Sequence, residues 1–394
     1  MLYWLITALQ DVLPEWLMDA FQVLYQVEFR ALASAVLAFG LVLGFGKQVI
    51  AQLVKFKIGD PGLSDAEALQ MGAASKRHTP TMGGVLICGA MLAATLLLGD
   101  LANFYVRTGL LLLVSFSLIG GADDVLKLLA SRRGGGRQGL HSWEKLLFQL
   151  GASALIAYFA FRHADTPEAL DLAHAVNLPF QRTTLPGGGE VNPALLFLPA
   201  WAFVVVGTLM IAGLSNAANL TDGMDGLAGG LSATMSVGLV VLAVIAGTQS
   251  TAQQLLVPYV PGSEELSVLA GALLGASLGF LWWNSFPAQV FMGDTGSLPI
   301  GGLAGYVALV TRQEIVVLLM CGIFVLEIAS VVLQVGYYKW TKRFAAGGPR
   351  RIFRCAPYHH HLHLGGLAEP KVVARLWIAG VLLLVLALAS IKLR

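Results

Sequence analysis

The sequence predicts an all-α, polytopic membrane protein in which the whole chain, residues 1–394, forms one integral membrane domain. Only 12% of the 394 residues are charged and 56% are hydrophobic, and the mean hydropathy is +0.73. Apolar stretches close to 20 residues long recur along the chain, and a helix of that length spans the hydrocarbon core of a bilayer. We predict ten transmembrane helices, at residues 29–54, 82–99, 108–122, 143–162, 194–214, 227–246, 266–283, 296–311, 314–337 and 372–391.

The distribution of basic residues predicts the orientation of these helices. If the ten helices alternate in direction, one set of loops contains 18 of the 25 Lys and Arg residues, and such loops usually face the cytoplasm. Both termini are therefore expected on the periplasmic side. The long loop at residues 163–193 falls on that side too, and its sequence TTLPGGGEVNP suggests a small hairpin around the glycines.

Polar motifs are concentrated on the predicted cytoplasmic face, where each lies beside a helix end. Five segments scattered over most of the chain reach this one face, so a shared site is the natural inference. The motifs are KRHTPTMGG at 76–84, GADD at 121–124, NLTDGMDG at 219–226, NSFPAQVFMGDTGS at 284–297 and YHHHLH at 358–363.

Two adjacent carboxylates, Asp123 and Asp124, are expected to end the third helix. Neighbouring helical positions differ by about 100°, so both can address one atom only if the helix frays there. A solvated helix end is the simpler interpretation. Against it, Gly120 and Gly121 leave room for a close approach, and Lys127 follows Asp123 at the i+4 spacing that pairs opposite charges. A carboxylate pair beside a lysine suits a metal ion bound to phosphates.

The segment NLTDGMDG places two more carboxylates between the fifth and sixth helices. Asp222 and Asp225 are spaced i, i+3, which on a helix puts both on one face, and Asn219 lies three residues earlier. Alternatively, TDG could simply cap the sixth helix, because Thr and Asp are favoured N-caps. Capping and function are compatible, since a helix N-terminus is itself an anion site. We favour a functional role.

An isolated acid, Asp294, stands in the motif VFMGDTGS just before the eighth helix. An unpaired acid in such a setting is costly and is by default a functional hypothesis. Sparse carboxylate ligands of this kind suit Mg²⁺ that is shared with substrate phosphates. Phe291, three residues earlier, offers a face on which a base could stack, although a role as an interfacial core aromatic is an equally good interpretation.

Four histidines occur within residues 359–363, in the motif YHHHLH. Four imidazoles could bind zinc, but consecutive side chains diverge on either a helix or a strand. Hydrogen bonding to a diphosphate is the interpretation we prefer, helped by the three arginines of RRIFR at 350–354.

Together these residues predict a site with several carboxylates, basic groups and a Mg²⁺ ion, opening sideways to lipid. Phosphoryl transfer fits those parts, because its catalysis consists mostly of positioning and charge neutralisation. The membrane setting implies that one substrate is a lipid phosphate, and no nucleic-acid partner is expected. A ten-helix transporter is the alternative from another class, but transporters tend to place their acids near the bilayer midplane in broken helices.

Several of these motifs resemble those of one enzyme family. TPTMGG, DD followed by Lys127, NLTDGMDGLA, VFMGDTGSL and RIFRCAPYHHH are similar to motifs of the phospho-N-acetylmuramoyl-pentapeptide transferases, the MraY translocases, within the polyprenyl-phosphate N-acetylhexosamine-1-phosphate transferase superfamily. The resemblance runs in order from about residue 28 to the C-terminus. The histidine triplet favours this branch over the related GlcNAc-1-phosphate transferases, which remain the alternative.

The resemblance implies a Mg²⁺-dependent homodimer of peptidoglycan biosynthesis in the bacterial inner membrane. Such enzymes transfer phospho-MurNAc-pentapeptide from UDP to undecaprenyl phosphate, giving lipid I and UMP. It makes Asp123, Asp124 and Asp294 the catalytic and metal carboxylates, with Asp294 as the metal ligand, and adds His360 as a catalytic residue. It assigns substrate binding to Lys76, Thr81, Lys127, Lys145, Asn219, Asp222, Asp225, Gly226, Asn284, Phe291, His359 and His361.

Some positions depart from the family pattern. His78 stands where a small residue usually precedes Thr-Pro-Thr, and His363 stands where a glutamate typically follows the triplet. The loop SRRGGGRQG at 131–139 is also unusually rich in arginine and glycine. These departures concern the fine geometry of the site and its catalytic rate more than the identity of the reaction.

The chemistry of the acceptor favours one of two routes. A lipid monophosphate has its second pKa near 6, so at neutral pH it is mostly a dianion and needs little help from a base. Direct attack on the β-phosphate of the UDP-sugar is therefore the preferred route. A covalent aspartyl-phosphate intermediate is the alternative, and the sequence does not separate the two.

Overall fold

Every regular secondary-structure element in the described part of the chain is a helix. The structure is a computed structural model that describes residues 21–55, 79–132, 139–164, 171–178, 181–183, 191–345 and 348–391. The α-helices are α1 (Val27–Lys55), α2 (Gly84–Leu98), α3 (Phe104–Arg132), α4 (Ser142–Ala164), α5 (Ala200–Thr221), α6 (Leu227–Gly247), α7 (Gln249–Leu255), α8 (Leu266–Asn284), α9 (Asp294–Thr311), α10 (Glu314–Met320), α11 (Gly322–Phe344), α12 (Tyr358–His363) and α13 (Glu369–Ile391).

Each predicted apolar run falls on a helix, with three corrections to the expected boundaries. The third helix, α3, continues to Arg132 instead of ending at residue 122. The fifth, α5, begins at Ala200, directly after the extended residue Pro199, instead of at residue 194. The ninth run is divided at Cys321 into α10 and α11. Apolar periodicity locates a helix, but these boundaries depend on polar and proline positions.

Eight described helices are long and apolar enough to cross a membrane: α1, α3, α4, α5, α6, α8, α11 and α13. The helix α2 is apolar but shorter, at Gly84–Leu98. These lengths confirm a helical, multi-pass membrane protein. The count of ten spans, the periplasmic termini and the cytoplasmic position of the site stay predictions.

The helix α9 lies at the centre of the bundle, where it packs against α3, α5, α6 and α2. Every one of its residues from Asp294 to Thr311 is buried. Close packing against α5 requires small residues, as is common between membrane helices. A Cβ atom at Gly305 would overlap the carbonyl oxygen of Met210. The position of α9, and of the acid at its start, is therefore set by backbone contact with α5.

Two buried ion pairs stabilise the end of the bundle away from Asp294. Arg30, at the start of α1, donates two hydrogen bonds to the Glu265 carboxylate. Arg312, just after α9, lies 2.9 Å from the Glu314 carboxylate and covers the ring of Phe203, with 4.7 Å between guanidinium carbon and ring centroid. Each guanidinium is thus paired, as a buried charge requires.

The predicted hairpin is found in part. Val176 N–H donates to Leu196 O at 2.8 Å, and Leu198 N–H donates to His174 O at 3.0 Å, so the two chain segments run antiparallel through an isolated bridge. The glycine turn at residues 184–190 lies outside the described residues. So do Lys76, His78 and most of the loop at 131–139.

We predict that Gly305→Ala lowers the stability of the folded protein by about 1–3 kcal/mol, the usual cost of overpacking a close contact. The new methyl group would push α9 away from α5 and displace Asp294 with it. Gly213→Ala is the control, because no atom lies within 4 Å of a Cβ there, and we expect it to be neutral or slightly stabilising. Thermal unfolding of both purified variants in detergent tests this, and equal unfolding temperatures would contradict it.

Candidate active site

Asp294 is the first residue of α9, and the residue before it must be glycine. Gly293 has φ +72° and ψ 178°, a conformation essentially restricted to glycine. A Cβ atom there would also lie 2.8 Å from Asp124 Oδ2 and 2.9 Å from Thr81 Oγ1. Three separate segments therefore meet at the start of α9 because residue 293 has no side chain.

Three carboxylates and two ammonium groups form one cluster at this point. Lys127 Nζ lies 2.8 Å from Asp123 Oδ2, 3.1 Å from Asp294 Oδ2 and 3.9 Å from Asp124 Oδ1. Lys145 Nζ lies 2.8 Å from the same Oδ2 of Asp294. With all five groups ionised, the cluster carries net negative charge and attracts a further cation.

Asn219 fixes the other side of the Asp294 carboxylate. Its amide nitrogen donates to Asp294 Oδ1 at 2.6 Å and to Ser297 Oγ at 2.9 Å. Its amide oxygen accepts a hydrogen bond from Lys145 Nζ at 3.2 Å. Asn219 therefore links the end of α5 to both the acid and a lysine, which agrees with its place among the predicted site residues.

Asp124 holds the N-terminus of α9. Its carboxylate accepts hydrogen bonds from Asp294 N–H at 3.3 Å, from Thr295 N–H at 3.0 Å and from the Thr295 hydroxyl at 2.7 Å. A carboxylate in this position satisfies N–H groups that the helix cannot pair itself and interacts favourably with the helix dipole. Asp123, one residue earlier, accepts Leu140 N–H at 2.7 Å.

The three carboxylates form a group that can hold a metal ion. Each of Asp123, Asp124 and Asp294 offers one oxygen, these oxygens lie within 4.8 Å of one another, and all three residues are buried. Carboxylate oxygens are the ligands that hard divalent cations prefer. In this structure the Lys127 ammonium group supplies positive charge between the three carboxylates. Its side chain is 45% exposed, more than that of any other member of the cluster.

Two sequence-based interpretations are wrong. Asp123 and Asp124 do not lie at a solvated helix end, because α3 continues past them and they are only 3% and 4% exposed. No fraying is needed, since the long Lys127 side chain reaches back one turn to both. Asp294 is not isolated either, because it contacts Lys127, Lys145 and Asn219.

The aspartates of NLTDGMDG do not share a helix face. Residues 222–226 form a turn between α5 and α6. Asp222 Oδ2 accepts Gly293 N–H at 3.2 Å, and Asp225 Oδ2 accepts Ala288 N–H at 3.0 Å. The capping interpretation is also wrong, because the N-cap of α6 is Gly226, at φ +81°, with no side-chain hydrogen bond. Both carboxylates instead bind the loop that leads to Asp294.

Asn284 and Gly226 belong to the same framework. Asn284 Oδ1 accepts Gly226 N–H at 3.0 Å, and Asn284 Nδ2 donates to Val290 O at 2.8 Å. The N–H of Asp225 donates to Glu369 Oε1 at 3.0 Å. These contacts shape the loop between α8 and α9, and a direct contact of these residues with substrate stays a prediction.

The histidine motif forms the short helix α12, and the rings of His359 and His360 both reach Gly223 in the 219–226 segment. His359 has no exposed surface, and its Nε2 lies against the backbone of Gly223. His360 and His361 are half-buried, and His361 Nδ1 accepts Arg354 N–H at 3.1 Å. The described residues contain no group of three or more potential metal ligands that includes a histidine, which counts against the zinc alternative.

The remaining predicted residues lie on the loop side of the site. Thr81 is half-buried beside Gly293. Phe291 is half-buried, and its backbone accepts Gly83 N–H at 2.8 Å and donates to Pro80 O at 2.8 Å. The 79–84 segment and the loop before α9 are thus held together by main-chain hydrogen bonds. Lys76 lies outside the described residues.

Sequence reasoning missed four residues that organise the site. Thr295 bonds to Asp124, and Ser297 bonds to Asn219. Both stand in the motif NSFPAQVFMGDTGS, but a small hydroxyl side chain is not by itself a functional signal. Glu327 and Glu369 contact His359 and Asp225. Glu327 could have been found, because an acid inside an apolar helix is a functional signal by itself.

Comparison with known families agrees with this geometry. The sequence model of glycosyl transferase family 4 matches residues 106–312, more than half of the chain. The chain belongs to glycosyl transferase family 4. The phospho-N-acetylmuramoyl-pentapeptide-transferase signature 1 matches residues 76–88. The two matches confirm the resemblance to that branch of the polyprenyl-phosphate transferases.

This family 4 member is therefore a membrane phosphosugar transferase of peptidoglycan synthesis. The family uses a sugar-phosphate donor and a lipid-phosphate acceptor. The matched range contains the three clustered aspartates and both lysines, while the signature contains Thr81. The carboxylate cluster therefore lies within the part of the chain that the family model matches.

Asp222 lies in the turn directly after α5, where the site raises its pKa toward neutral pH. Burial is the largest cause of the rise in the pKa of Asp222 from 3.8 to about 7; the Gly293 N–H opposes the rise, and the negative charges of Asp294, Asp124 and Asp225 add to it. The carboxyl is therefore partly protonated at neutral pH until a cation enters the cluster.

We predict that this shift makes stability depend on pH in the metal-free protein. A carboxyl whose pKa is higher in the folded state stabilises the fold when protonated, and that contribution is lost as pH rises from about 4 through about 7. Unfolding temperatures measured in EDTA from pH 4 to 8 should therefore fall more steeply for wild type than for Asp222→Asn. Parallel curves for the two proteins would contradict the shift.

Proposed function

We propose that this transferase moves phospho-MurNAc-pentapeptide from UDP-MurNAc-pentapeptide to undecaprenyl phosphate, giving lipid I and UMP. It would act as a homodimer at the cytoplasmic face of the bacterial inner membrane. The observation that carries the proposal is the buried cluster of Asp123, Asp124 and Asp294 with two lysines, in a chain with the family signature. Transfer between two phosphates needs charge neutralisation above all, and this cluster supplies groups of both signs.

The proposed reaction needs no proton transfer by the protein. An oxygen of the undecaprenyl phosphate dianion attacks the β-phosphorus of the UDP-sugar. The bond from that phosphorus to the bridging oxygen breaks, and UMP leaves with the electron pair. Because the acceptor is already a dianion at neutral pH, the protein has to bring two negative groups together and has no need of a strong base.

Mg²⁺ is the proposed cofactor, and the residues present fit it. Asp294, with Asp123 and Asp124, would hold the ion, because these are buried oxygen donors close enough to share one cation. When bound, Mg²⁺ supplies charge that neutralises the diphosphate and the departing UMP. Asn219 keeps the Asp294 carboxylate in place through its 2.6 Å hydrogen bond.

The two lysines would serve different parts of the substrates. The side chain of Lys145 is only 14% exposed and is held by Asp294 and Asn219, so we assign it to a fixed position beside the diphosphate. Lys127 is 45% exposed, and we assign it to the incoming phosphates. Both ammonium groups already stand within hydrogen-bond distance of the acid that would hold the metal.

The nucleotide and diphosphate would lie on the loop side of the cluster. We assign Phe291 to stacking on uracil, Thr81 to the phosphates beside Gly293, and His360 and His361 to hydrogen bonds with the diphosphate. Lys76, which precedes this segment, would add charge there.

The direct route is favoured over a covalent aspartyl-phosphate. Both oxygens of Asp124 accept hydrogen bonds from the start of α9. Asp123 has one oxygen on Leu140 N–H and the other on Lys127. A carboxylate whose oxygens are all engaged is a poor nucleophile, whereas the same hydrogen bonds hold it well for positioning.

A GlcNAc-1-phosphate transferase is the second candidate, since it would use the same cluster. The histidine motif at 358–363 is the feature that favours the MurNAc branch. Purified protein should be assayed for UMP release with undecaprenyl phosphate and either UDP-MurNAc-pentapeptide or UDP-GlcNAc, each with Mg²⁺ and with EDTA. We expect UMP release only with UDP-MurNAc-pentapeptide and only when Mg²⁺ is present. UMP release with UDP-GlcNAc and not with UDP-MurNAc-pentapeptide would instead indicate a GlcNAc-1-phosphate transferase.

We predict that Asp294→Asn lowers the turnover number by on the order of 10³-fold, the scale of losing one group that stabilises transition-state charge. The fold should be retained, because Asn can still bond to Asn219. Asp100→Asn is the control, since Asp100 lies at the far end of α2, where its carboxylate accepts Ala102 N–H. Steady-state UMP release and unfolding temperature should be measured together, and near wild-type turnover at limiting Mg²⁺ would rule out the metal assignment.

We predict that Phe291→Ala raises the dissociation constant of the UDP-substrate by the equivalent of about 1–3 kcal/mol, the range for removing an aromatic ring from a base. Affinity for the lipid phosphate should hardly change. Phe344→Ala removes a phenyl ring that is 66% exposed on α11 and serves as the control. Calorimetric titration with each substrate separates the effects, and equal weakening of both would assign Phe291 to packing instead.

A further inference from the structure

Glu327 is an acid inside a membrane-spanning helix, and the proposed mechanism does not use it. It lies in α11 (Gly322–Phe344), which is long and apolar enough to cross a bilayer, and none of its surface is exposed. A buried intramembrane acid is costly to keep, and such residues usually serve a site. The side chain therefore requires an explanation beyond packing.

The partner of Glu327 is His359. The Oε2 atom of Glu327 lies 3.1 Å from Nδ1 of the imidazole and accepts the His359 backbone N–H at 3.2 Å. Both side chains are 0% exposed. One carboxylate oxygen thus contacts the main chain and the ring of the same histidine. The main-chain hydrogen bond holds the start of α12, and the close contact with Nδ1 keeps the imidazole beside the acid.

The opposite edge of that imidazole lies on Gly223. A Cβ atom built on Gly223 would overlap His359 Nε2, so the ring packs directly on the backbone of the turn at 222–226. The residue before Gly223 is Asp222, whose carboxylate accepts Gly293 N–H. Gly293 is directly followed by Asp294. A continuous series of contacts therefore runs from Glu327 to the acid of the cluster.

We infer that Glu327 is a positioning residue for phosphosugar transfer, acting through His359 on the turn at 222–226. It holds the buried imidazole against Gly223 and so fixes where Asp222 and the loop before Asp294 stand. This inference rests on the proposed function, because it assigns Glu327 to the same reaction. The Glu327 carboxylate bonds to His359 and not to the carboxylate cluster.

Attachment of the segment before α12 to α11 does not require the acid. The side chain of Gln334, two turns further along α11, already accepts hydrogen bonds from Ile352 and Phe353 N–H at 3.0 Å and donates to Phe353 O at 3.0 Å. A well-packed apolar pair is often at least as stable as a buried charged one. What an apolar pair does not provide is a fixed direction for an imidazole.

The test compares Glu327→Gln with Glu314→Gln. Glu314 is also a buried acid, and its partner is the guanidinium of Arg312. It lies beyond the far end of α9, so the control matches the residue type and its burial. We expect both variants to unfold at lower temperatures, whereas only Glu327→Gln should raise the KM for the UDP-substrate, by about tenfold. The KM for the lipid phosphate should be unchanged in both.

A double-mutant cycle with His359→Gln identifies the route of the effect. If Glu327 acts through His359, Glu327→Gln should have almost no further kinetic effect in the His359→Gln protein, because contacting residues are non-additive. Independent multiplication of the two KM effects would overturn the inference, and so would equal kinetics of Glu327→Gln and Glu314→Gln. Failure of both Glu327→Gln and Glu327→Asp to fold would assign the pair to stability and also overturn it.

Failure of the proposed function would be recognised separately in wild type. Absence of UMP release from UDP-MurNAc-pentapeptide by the wild-type enzyme contradicts the proposed donor, and wild type and the variants are then compared with UDP-GlcNAc. The ratio of the KM of Glu327→Gln to that of Glu314→Gln, measured with whichever donor wild type uses, then tests the positioning role.

Discussion

The hydrogen bonds between Asp124 and the first residues of α9 are the interaction on which the site depends. They join one membrane helix, α3, to the beginning of another, α9. The start of a buried helix presents unpaired N–H groups, and in a hydrocarbon environment no water satisfies them. A carboxylate from a neighbouring helix solves that problem and, in doing so, brings a second acid beside Asp294. The structural requirement and the chemical site thus have one origin.

Charge balance explains why the cluster tolerates burial. Three acids this close repel one another, and desolvation opposes their ionisation. Two lysines reduce the repulsion, and Lys145 is more deeply buried than Lys127. With all five groups ionised, one negative charge remains uncompensated, and this charge attracts a cation to the cluster. With a divalent cation bound, the net charge of the cluster would become positive, and the cluster would then attract the negatively charged phosphates of the substrates, for which the lysines would act as further counter-ions.

The sequence predicted the helical class, the position of nearly every long helix and most members of the site, because apolar runs and polar motifs are local features. It did not predict that α3 continues through Asp123 and Asp124, since two acids read as a helix end unless a lysine and another helix bury them. Nor did the sequence show that Asp222 and Asp225 bind different partners. Spacing indicated a common helix face, whereas the partners that distinguish them, Gly293 and Ala288, lie about 60 to 70 residues away. Partners so distant in sequence are fixed by tertiary packing alone.

The turn at 222–226 and the loop before α9 are joined at two places, through Asp225 to Ala288 and through Asp222 to Gly293. The two attachment points lie on either side of Phe291, so the aromatic ring and the acid of α9 belong to one braced unit. If Phe291 stacks on the nucleoside as proposed, energy gained by binding the nucleoside at one end of that unit can be used to order the phosphates at the other. In such an enzyme the part of the donor that does not react contributes to the rate of the part that does.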